Sequence, residues 1–232
     1  YDGFRHLQHP SKGVVMNEDT ARILKQGYYA SVSYVDAQVG RVLEHLKKLG
    51  LDKNTVVVIW GDHGWKLGEH NGWCKQTNYN IDIHVPLIAY SPAAEFKGGK
   101  TMAITELIDI FPSLCELTGI PSPEYLHGRS FVPVMKDPDS HVKTQALSQF
   151  HRRPKVSADG KRYMGYSLIF AQWHYVEWYD WDAENQLKGE LQAKELYNLK
   201  NDPNENKNLA VDSNYTNLMS KLNKSLRIGF KW

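Results

Sequence analysis

Thr55-Val56-Val57-Val58-Ile59-Trp60 runs directly into Gly61-Asp62-His63-Gly64, and this junction carries the strongest structural signal of the chain. The unbroken run of mostly β-branched residues predicts a strand that is buried on both faces, as in a parallel sheet. The polar sequence between two glycines comes at the end of that strand. Ligands of open α/β sheets bind outside the carboxyl ends of the strands, so the same stretch also predicts where a site would lie.

The segments on either side predict further parts of an open α/β sheet. Upstream, Asn17 is a good helix N-cap, and apolar residues recur at spacings of three and four as far as Gly50, which predicts one long amphipathic helix. Downstream, residues 84–90 predict a second buried strand. A helix follows, which Thr105 is expected to cap and Gly119 to end. Helix, strand, loop, strand and helix alternate as they do in an open α/β fold.

From about residue 145 the pattern changes to short strands. The candidates are residues 148–150, 164–170, 173–178 and 195–199, with Ala171-Gln172 as a turn and a terminal helix near residues 214–227. This pattern predicts an antiparallel β subdomain at residues 145–232, packed beside a main α/β domain at residues 1–144.

Composition excludes several classes of partner. The chain has 232 residues, and 28 Lys and Arg against 26 Asp and Glu give a formal charge of +2. This balance gives no electrostatic reason to expect nucleic acid or an anionic membrane as a partner. No apolar run approaches the roughly 20 residues of a membrane span. The two cysteines, Cys74 and Cys115, exclude a dense disulfide framework, and we expect both to be small buried hydrophobes.

The residues after the first strand are candidates for a metal site. Asp62 and a neutral His63 offer one carboxylate oxygen and one imidazole nitrogen to a divalent cation. The alternative is an aspartate that caps the next segment, with the histidine bonded to a neighbour. Further polar and aromatic residues precede the second strand, and they make a site more plausible: Trp65, Glu69, His70, Trp73, Lys75, Asp82 and His84.

The block Trp60–Lys75 resembles the second metal-binding segment of the type I, formylglycine-dependent sulfatases of the alkaline phosphatase superfamily. Residues 84–88, His-Val-Pro-Leu-Ile, look like the strand that follows that segment. Further blocks at residues 29–40, 108–114, 164–167 and 195–203 occur in the same order. The Asp-His-Gly-Trp and Met-Gly-Tyr-Ser sequences look most like the iduronate-2-sulfatase branch. The resemblance runs from about residue 20 to 210, and it implies the C-terminal part of an alkaline-phosphatase-like α/β/α sheet domain, followed by a small antiparallel β subdomain with a terminal helix.

The resemblance also implies roles for individual residues. Asp62 and His63 match the family's calcium ligands, and Lys75 matches the lysine that contacts a sulfate oxygen and stabilises charge on the leaving ester oxygen. Trp65 and His70 match positions that line the substrate pocket, and His70 is the local candidate for a general acid.

Other assignments leave alternatives open. His84 either faces the substrate, supports a group that does, or is a buried histidine bonded to backbone at the start of its strand. Cationic and aromatic residues could reach the rim of a sugar pocket, although a place in the core or on the surface is favoured for them: Arg152, Arg153, Trp173, Trp178, Tyr179 and Trp181. Asn214 and Asn223 each begin an N-glycosylation sequence.

One part of the family's machinery is missing from the sequence. These sulfatases make formylglycine from the first residue of Cys/Ser-x-Pro/Ala-x-Arg, and neither Cys74 nor Cys115 begins that motif. The chain also has no Asp-Asp pair. We therefore expect the nucleophile and the remaining metal ligands in an N-terminal chain of the same sulfatase, with this chain inactive by itself. The resemblance implies an extracytoplasmic location: periplasmic, secreted or lysosomal.

The function expected is hydrolysis of sulfate esters on a sulfated sugar, such as a 2-O-sulfated uronic acid in a glycosaminoglycan or another sulfated polysaccharide. Two alternatives remain at this point. One is a phosphoric-ester or phosphonate hydrolase of the same superfamily, whose members share the Asp-His sequence at this strand end. The other is a non-catalytic, carbohydrate-binding fragment that has kept the fold.

Overall fold

The computed structural model describes residues 16–94, 98–152 and 161–232. Arg153, one of the residues that could reach the rim of a sugar pocket, lies outside these ranges. In chain order, the elements are α1 (Glu18–Lys48), β1 (Val57–Trp60), β2 (Lys66–Leu67), β3 (Trp73–Cys74), α2 (Asn80–Ile83), β4 (Leu87–Tyr90), α3 (Ile110–Thr118), α4 (Val132–Lys136), β5 (Gln145–Arg152), β6 (Tyr163–Phe170), β7 (Trp173–Asp182), β8 (Leu187–Asn198) and α5 (Thr216–Phe230).

Helix α1 begins and ends where its sequence predicts. The side chain of Asn17 accepts a hydrogen bond from the backbone N–H of Thr20 at 2.9 Å, which satisfies one of the free donors of the first turn. Gly50 follows the helix with φ +68°, a left-handed conformation that glycine adopts without steric cost. None of the residues of α1 is buried, and apolar side chains such as Val35 and Val42 are more than half exposed.

The first two strands pair differently from the prediction. β1 and β4 form an antiparallel pair in which Trp60 lies opposite Leu87, and among the described residues neither strand has another partner. The prediction of a strand buried on both faces in a parallel sheet is therefore wrong for this part of the chain. Trp60 and Ile88 are 49% and 59% exposed, because no further strand or helix of the described segments covers them.

The start of α3 also differs from the prediction. Thr105 does not cap the helix: a short 3₁₀ turn, Leu107–Asp109, precedes it, and the side chains of Glu106 and Asp109 cap that turn reciprocally. Gly119 ends α3 with φ +71°, as predicted. The amine of Lys143 lies 2.6 Å from the Glu106 carboxylate and 2.7 Å from that of Asp109, so this turn carries a buried charge network.

The second half of the chain forms the predicted antiparallel sheet. Strands β5, β6, β7 and β8 lie in that order, and Ala171, with φ 50°, makes the tight turn between β6 and β7. All four strands are longer than predicted. One face of the sheet packs against α5, and the core between them consists of Met164, Tyr166, Leu168, Tyr175, Tyr179, Leu196, Leu222 and Leu226. A division between domains at residue 144 stays a prediction.

The expectation that both cysteines are buried is confirmed. Cys74 and Cys115 are both free and buried. Burial raises the pKa of the Cys74 thiol, although Lys66 and Lys75 nearby act in the opposite direction. No helix in residues 16–94, 98–152 and 161–232 combines the length and the apolar character that crossing a bilayer requires.

Candidate active site

Two segments meet at the end of β1. We call residues 61–64 the first arm, because they follow β1, and residues 74–78 the second arm, because they begin at the end of β3. The amine of Lys75 hydrogen-bonds to His63 Nε2 across the two arms. The Asp62 carboxylate lies 3.3 Å from the same nitrogen. The structure therefore brings together Asp62, His63 and Lys75, which the sequence had suggested as metal ligands and as a sulfate-contacting cation.

The orientation of the His63 ring is set by its neighbours. Its Nδ1 lies 2.9 Å from the carbonyl oxygen of Gly64, and because a carbonyl can only accept, Nδ1 carries the proton. Nε2 therefore presents a lone pair to the Lys75 ammonium group. Trp65 stacks beside the His63 ring with centroids 6.1 Å apart, and Tyr28 of α1 stacks beside Trp65 at 6.2 Å. The sequence-based alternative, a histidine bonded to a neighbour, also describes the Nδ1 contact.

The second arm has an unusual backbone. Cys74 and Gln76, on either side of Lys75, have φ values of 68° and 89°, and His70 and Asn71 just before the arm are also left-handed. Such conformations in residues other than glycine cost about 1–3 kcal/mol each and persist only where surrounding contacts impose them. They interrupt the extended backbone on both sides of Lys75.

A buried ion pair lies beneath both arms. Lys66 is 3% exposed and Asp82 4% exposed, and the lysine amine bonds to the carboxylate oxygen Oδ2. The same oxygen accepts the backbone N–H of Thr77 at 2.8 Å and its hydroxyl at 2.5 Å. The backbone oxygen of Asp82 accepts the N–H of Gly64 at 2.8 Å. One residue of α2 therefore contacts both arms.

The residues expected to line the substrate pocket are placed in different ways. His84 lines a groove together with Asp62, His63 and Lys75. It is exposed and precedes β4, so the alternative of a buried histidine is wrong for it. The imidazole of His70 lies flat on the Tyr79 ring, 3.9 Å between centroids.

Most of the expected rim residues belong to the sheet. Trp178 and Tyr179 are 8% and 5% exposed, and Tyr179 is part of the core, as the favoured alternative predicted. Trp173 and Trp181 are half-buried and pack against the same core. The guanidinium group of Arg152 lies 5.1 Å from the Trp178 ring centroid, on the edge of the sheet.

Two of the ligands that a divalent cation requires are present. The Asp62 side chain is 81% exposed, and its carboxylate lies beside the lone pair of His63 Nε2, so both groups fit as ligands. Calcium takes about six to eight ligands. Among the described residues, no group of three or more His, Cys, Asp and Glu side chains could hold a metal ion.

A second buried network, which sequence reasoning missed, joins the sheet to α2. Ser167 and His174 bond at 2.7 Å, His174 Nδ1 bonds to Glu205, and the other oxygen of Glu205 accepts the N–H of Asn80 at 2.6 Å. All but Asn80 are at most 3% exposed. No local motif marks these residues, because the contacts join positions up to 125 apart along the chain.

Comparison with known families gives matches over most of the chain. A family model described as "N-sulphoglucosamine sulphohydrolase, C-terminal" matches residues 68–229, and one described as "Sulfatase" matches residues 11–120. Among curated proteins, iduronate 2-sulfatase of Mus musculus is 29% identical over an alignment of 259 residues. The match covers 88% of this chain and 47% of that protein. The chain thus spans about half the length of this relative.

Solved structures resemble the chain over nearly all of its length. A protein solved with its substrate D-glucosamine-2-N,6-O-disulfate has a TM-score of 0.79 at 25% identity, covering 98% of this chain and 44% of that one. A 2-O GAG sulfatase has a TM-score of 0.77 at 25% identity, covering 94% and 45%. These likenesses confirm the predicted alkaline-phosphatase-like α/β fold with its terminal helix.

Proposed function

The chain belongs to the sulfatase family, and from this premise we propose that it forms the C-terminal part of an enzyme that hydrolyses sulfate esters on a sulfated sugar. The observation that carries the proposal is the meeting of Asp62, His63 and Lys75 at the end of β1. A carboxylate, an imidazole lone pair and an ammonium group lie together there, drawn from two segments of the chain. The carboxylate and the imidazole are ligands for a divalent metal, and the ammonium group is a donor to an anionic ester.

In this proposal, Lys75 is the catalytic residue of the chain. Its ammonium group would donate to a sulfate oxygen and stabilise the negative charge that develops on the leaving ester oxygen. A preorganised donor aimed at developing charge typically contributes about 3 kcal/mol to the lowering of a barrier. The contact with His63 Nε2 supports this role, because it holds the amine beside the proposed metal ligands instead of leaving it free in solvent.

Asp62 and His63 would hold a calcium ion together with ligands from the N-terminal part of the enzyme. Calcium, when bound, supplies a cation that orients sulfuryl oxygens and withdraws charge from them. The proton on His63 Nδ1, donated to the Gly64 carbonyl, places the lone pair on Nε2, where a bound cation would take the place of the Lys75 hydrogen bond. The Asp62 carboxylate is also available as a metal ligand, because its side chain is 81% exposed and it lies beside His63 Nε2.

The nucleophile would be a formylglycine in the N-terminal partner segment. The chain contains no Cys/Ser-x-Pro/Ala-x-Arg sequence, and the curated relative is about twice as long. The exposed apolar residues of α1, β1 and β4 would form the contact with that segment, and they include Val35, Val42, Trp60, Ile88 and Tyr90. Covering them would complete the sheet, which here has only two strands beside α1 among the described residues.

The substrate would be a sulfated saccharide, and a 2-O-sulfated uronic acid in a glycosaminoglycan or similar polysaccharide is the first candidate. The identity to iduronate 2-sulfatase and the likeness to a 2-O GAG sulfatase support this choice. His84, which shares the groove with Lys75, would contact the sugar. Trp65, which stacks beside His63, and His70, which stacks on Tyr79, would lie at the edge of the same site. Since such substrates occur outside the cytoplasm, the enzyme would be periplasmic, secreted or lysosomal.

The test uses the full-length polypeptide that contains this chain. Peptide mass spectrometry would detect formylglycine, and sulfate release would be measured on a 2-O-sulfated uronide and on a 6-O-sulfated glucosamine. We expect release from the uronide, its loss with a chelator and its recovery with calcium. Asp62→Asn should weaken calcium binding by more than about 10-fold, because it removes a charged ligand and even groups that only orient a ligand change metal affinity by about 10–100-fold. Asp36→Asn, at an exposed position on α1, is the matched control.

Each alternative predicts a different result. Hydrolysis of a phosphonate or phosphate ester, without sulfate release, would replace the proposal with the phosphoric-ester reading. Binding of a sulfated sugar without any turnover would identify a carbohydrate-binding fragment. Equal calcium affinity in Asp62→Asn and wild type would remove the metal from the proposed site.

A further inference from the structure

Asp82 contacts both arms of the candidate active site from below. Its backbone oxygen accepts the N–H of Gly64 in the first arm at 2.8 Å. Its carboxylate oxygen Oδ2 accepts the N–H and the hydroxyl of Thr77 in the second arm at 2.8 and 2.5 Å. Lys75 lies two residues before Thr77. A single residue of α2 therefore joins the two arms, in addition to the direct contact between Lys75 and His63.

We propose that Asp82 is a positioning residue that holds the Lys75 amine at its place beside Asp62 and His63. The inference rests on the proposed function, because it assigns to Asp82 the placement of the cation that acts on the ester. Asp82 is 4% exposed and its carboxylate is bonded to Lys66 and Thr77, so it would act through the second arm and not as a donor or acceptor to the substrate. It is therefore not a catalytic residue.

The strained backbone of the second arm supports the inference. Cys74 and Gln76 flank Lys75 in left-handed conformations, which only imposed contacts can maintain. The bonds to Asp82 begin at Thr77, directly after Gln76, and on the other side Cys74 pairs with Lys66 in the β2–β3 ladder. The arm is therefore fixed at both ends by the two members of one ion pair.

The hydrogen bonds of the Asp82 carboxylate are unevenly distributed between its two oxygens. Oδ2 receives the lysine amine and both Thr77 donors, whereas Oδ1 is buried and has no hydrogen-bond partner among the described residues. A buried acceptor without a partner carries a desolvation cost. Because all three donors converge on Oδ2, this one oxygen links Lys66 directly to Thr77 in the second arm.

The experiment is a double-mutant cycle in the full-length enzyme, measuring kcat for sulfate release from a 2-O-sulfated uronide. We expect Asp82→Asn to lower kcat by about 10–100-fold, as is usual for groups that orient active-site residues. KM should change much less. In a Lys75→Ala background, the same substitution should have no further effect on kcat, because the group that it positions is gone.

The matched control is Asp109→Asn. Asp109 is 0% exposed and pairs with Lys143 at 2.7 Å, so the substitution removes a comparable buried charge away from the two arms. It should lower stability to a similar degree and leave kcat within about twofold of wild type. If Asp82→Asn does not fold, Thr77→Val removes the hydroxyl that donates to Asp82 and accepts from the Lys66 amine and the Tyr79 N–H. It keeps the ion pair and should show the same loss of effect in the Lys75→Ala background.

The inference is overturned if Asp82→Asn lowers kcat no more than Asp109→Asn does. It is also overturned if Asp82→Asn lowers kcat equally with and without Lys75, since its action would then not pass through the lysine. Both comparisons require a wild-type enzyme that releases sulfate, so either result would refute the role of Asp82 while the proposed function stands. A wild-type enzyme that releases no sulfate would refute both, because Lys75 would have no reaction to serve.

Discussion

Replacing Gly64 by alanine should separate the two arms of the site. A Cβ atom on Gly64 would lie 1.8 Å from the carbonyl oxygen of Ile81 and 3.0 Å from Asp82 Cα, and real Cβ atoms essentially never approach other atoms within 3.0 Å. The obstacle is backbone, so no side-chain rotation can relieve it. The first arm would have to move by more than about 1 Å, because well-packed protein has no void to absorb the overlap.

The cost follows from the contacts that this movement breaks. The hydrogen bond from Gly64 to Asp82, 2.8 Å long, contributes about 1 kcal/mol to the free energy of unfolding. Overpacking adds about 1–3 kcal/mol, so Gly64→Ala should lower that free energy by roughly 2–4 kcal/mol. A misplacement of about 1 Å can also lower kcat by about 100-fold. Urea unfolding and sulfate release in the full-length enzyme measure the two effects.

Gly27→Ala is the control for this prediction. Gly27 lies inside α1 and a Cβ there meets nothing within 4 Å, so the substitution should raise the free energy of unfolding by about 0.5–1 kcal/mol. Its kcat should equal that of wild type. The reasoning would be refuted if Gly64→Ala matched wild type in both unfolding free energy and kcat.

Two further predictions concern the sheet and α5. Burial, and then the hydrogen bonds to Glu177, raise the pKa of Tyr175 and Tyr179 well above the usual tyrosine value of about 10. An ultraviolet titration should therefore find both phenols still protonated near pH 11 in the folded protein. Because the pKa of each phenol is higher in the folded than in the unfolded protein, its contribution to stability is fully present below the unfolded-state pKa and is lost as the pH rises through the folded-state pKa. The free energy of unfolding should therefore fall in strong alkali. Titration of both phenols near pH 10 would contradict this. Asn223 donates to the buried Glu177 carboxylate at 2.8 Å, so Asn223→Ala should cost about 1–3 kcal/mol in thermal or urea unfolding. Asn214→Ala, at an exposed position in the other glycosylation sequence, should cost almost nothing, and equal losses in the two variants would refute the assignment.

Local signals predicted the elements of this chain well. Asn17 and Gly50 lie where a helix must begin and end, because capping and a left-handed stop depend on a few adjacent residues. The turn at Ala171-Gln172 is similarly local. Strand pairing was predicted wrongly for β1, because its β-branched composition indicates burial but does not identify the neighbouring strand. The cap of α3 was missed because Glu106 and Asp109 act as a pair across a 3₁₀ turn.

The site was only partly accessible to sequence reasoning. The approach of Asp62, His63 and Lys75 agrees with the resemblance that had grouped them, and the structure adds their distances. Lys66 gave no signal, because a lysine among polar residues normally lies in solvent, whereas here it is buried against Asp82. The two are 16 residues apart and belong to different elements, β2 and α2, so no local pattern connects them.

The most direct test of the account is the rate of sulfate release by full-length Lys75→Ala. If this chain supplies the cation that stabilises the leaving oxygen, kcat on a 2-O-sulfated uronide should fall by about 100–1000-fold, the range for loss of one such donor. Lys53→Ala, at an exposed position before β1, should keep the wild-type rate. Equal rates for wild type and Lys75→Ala would contradict the account.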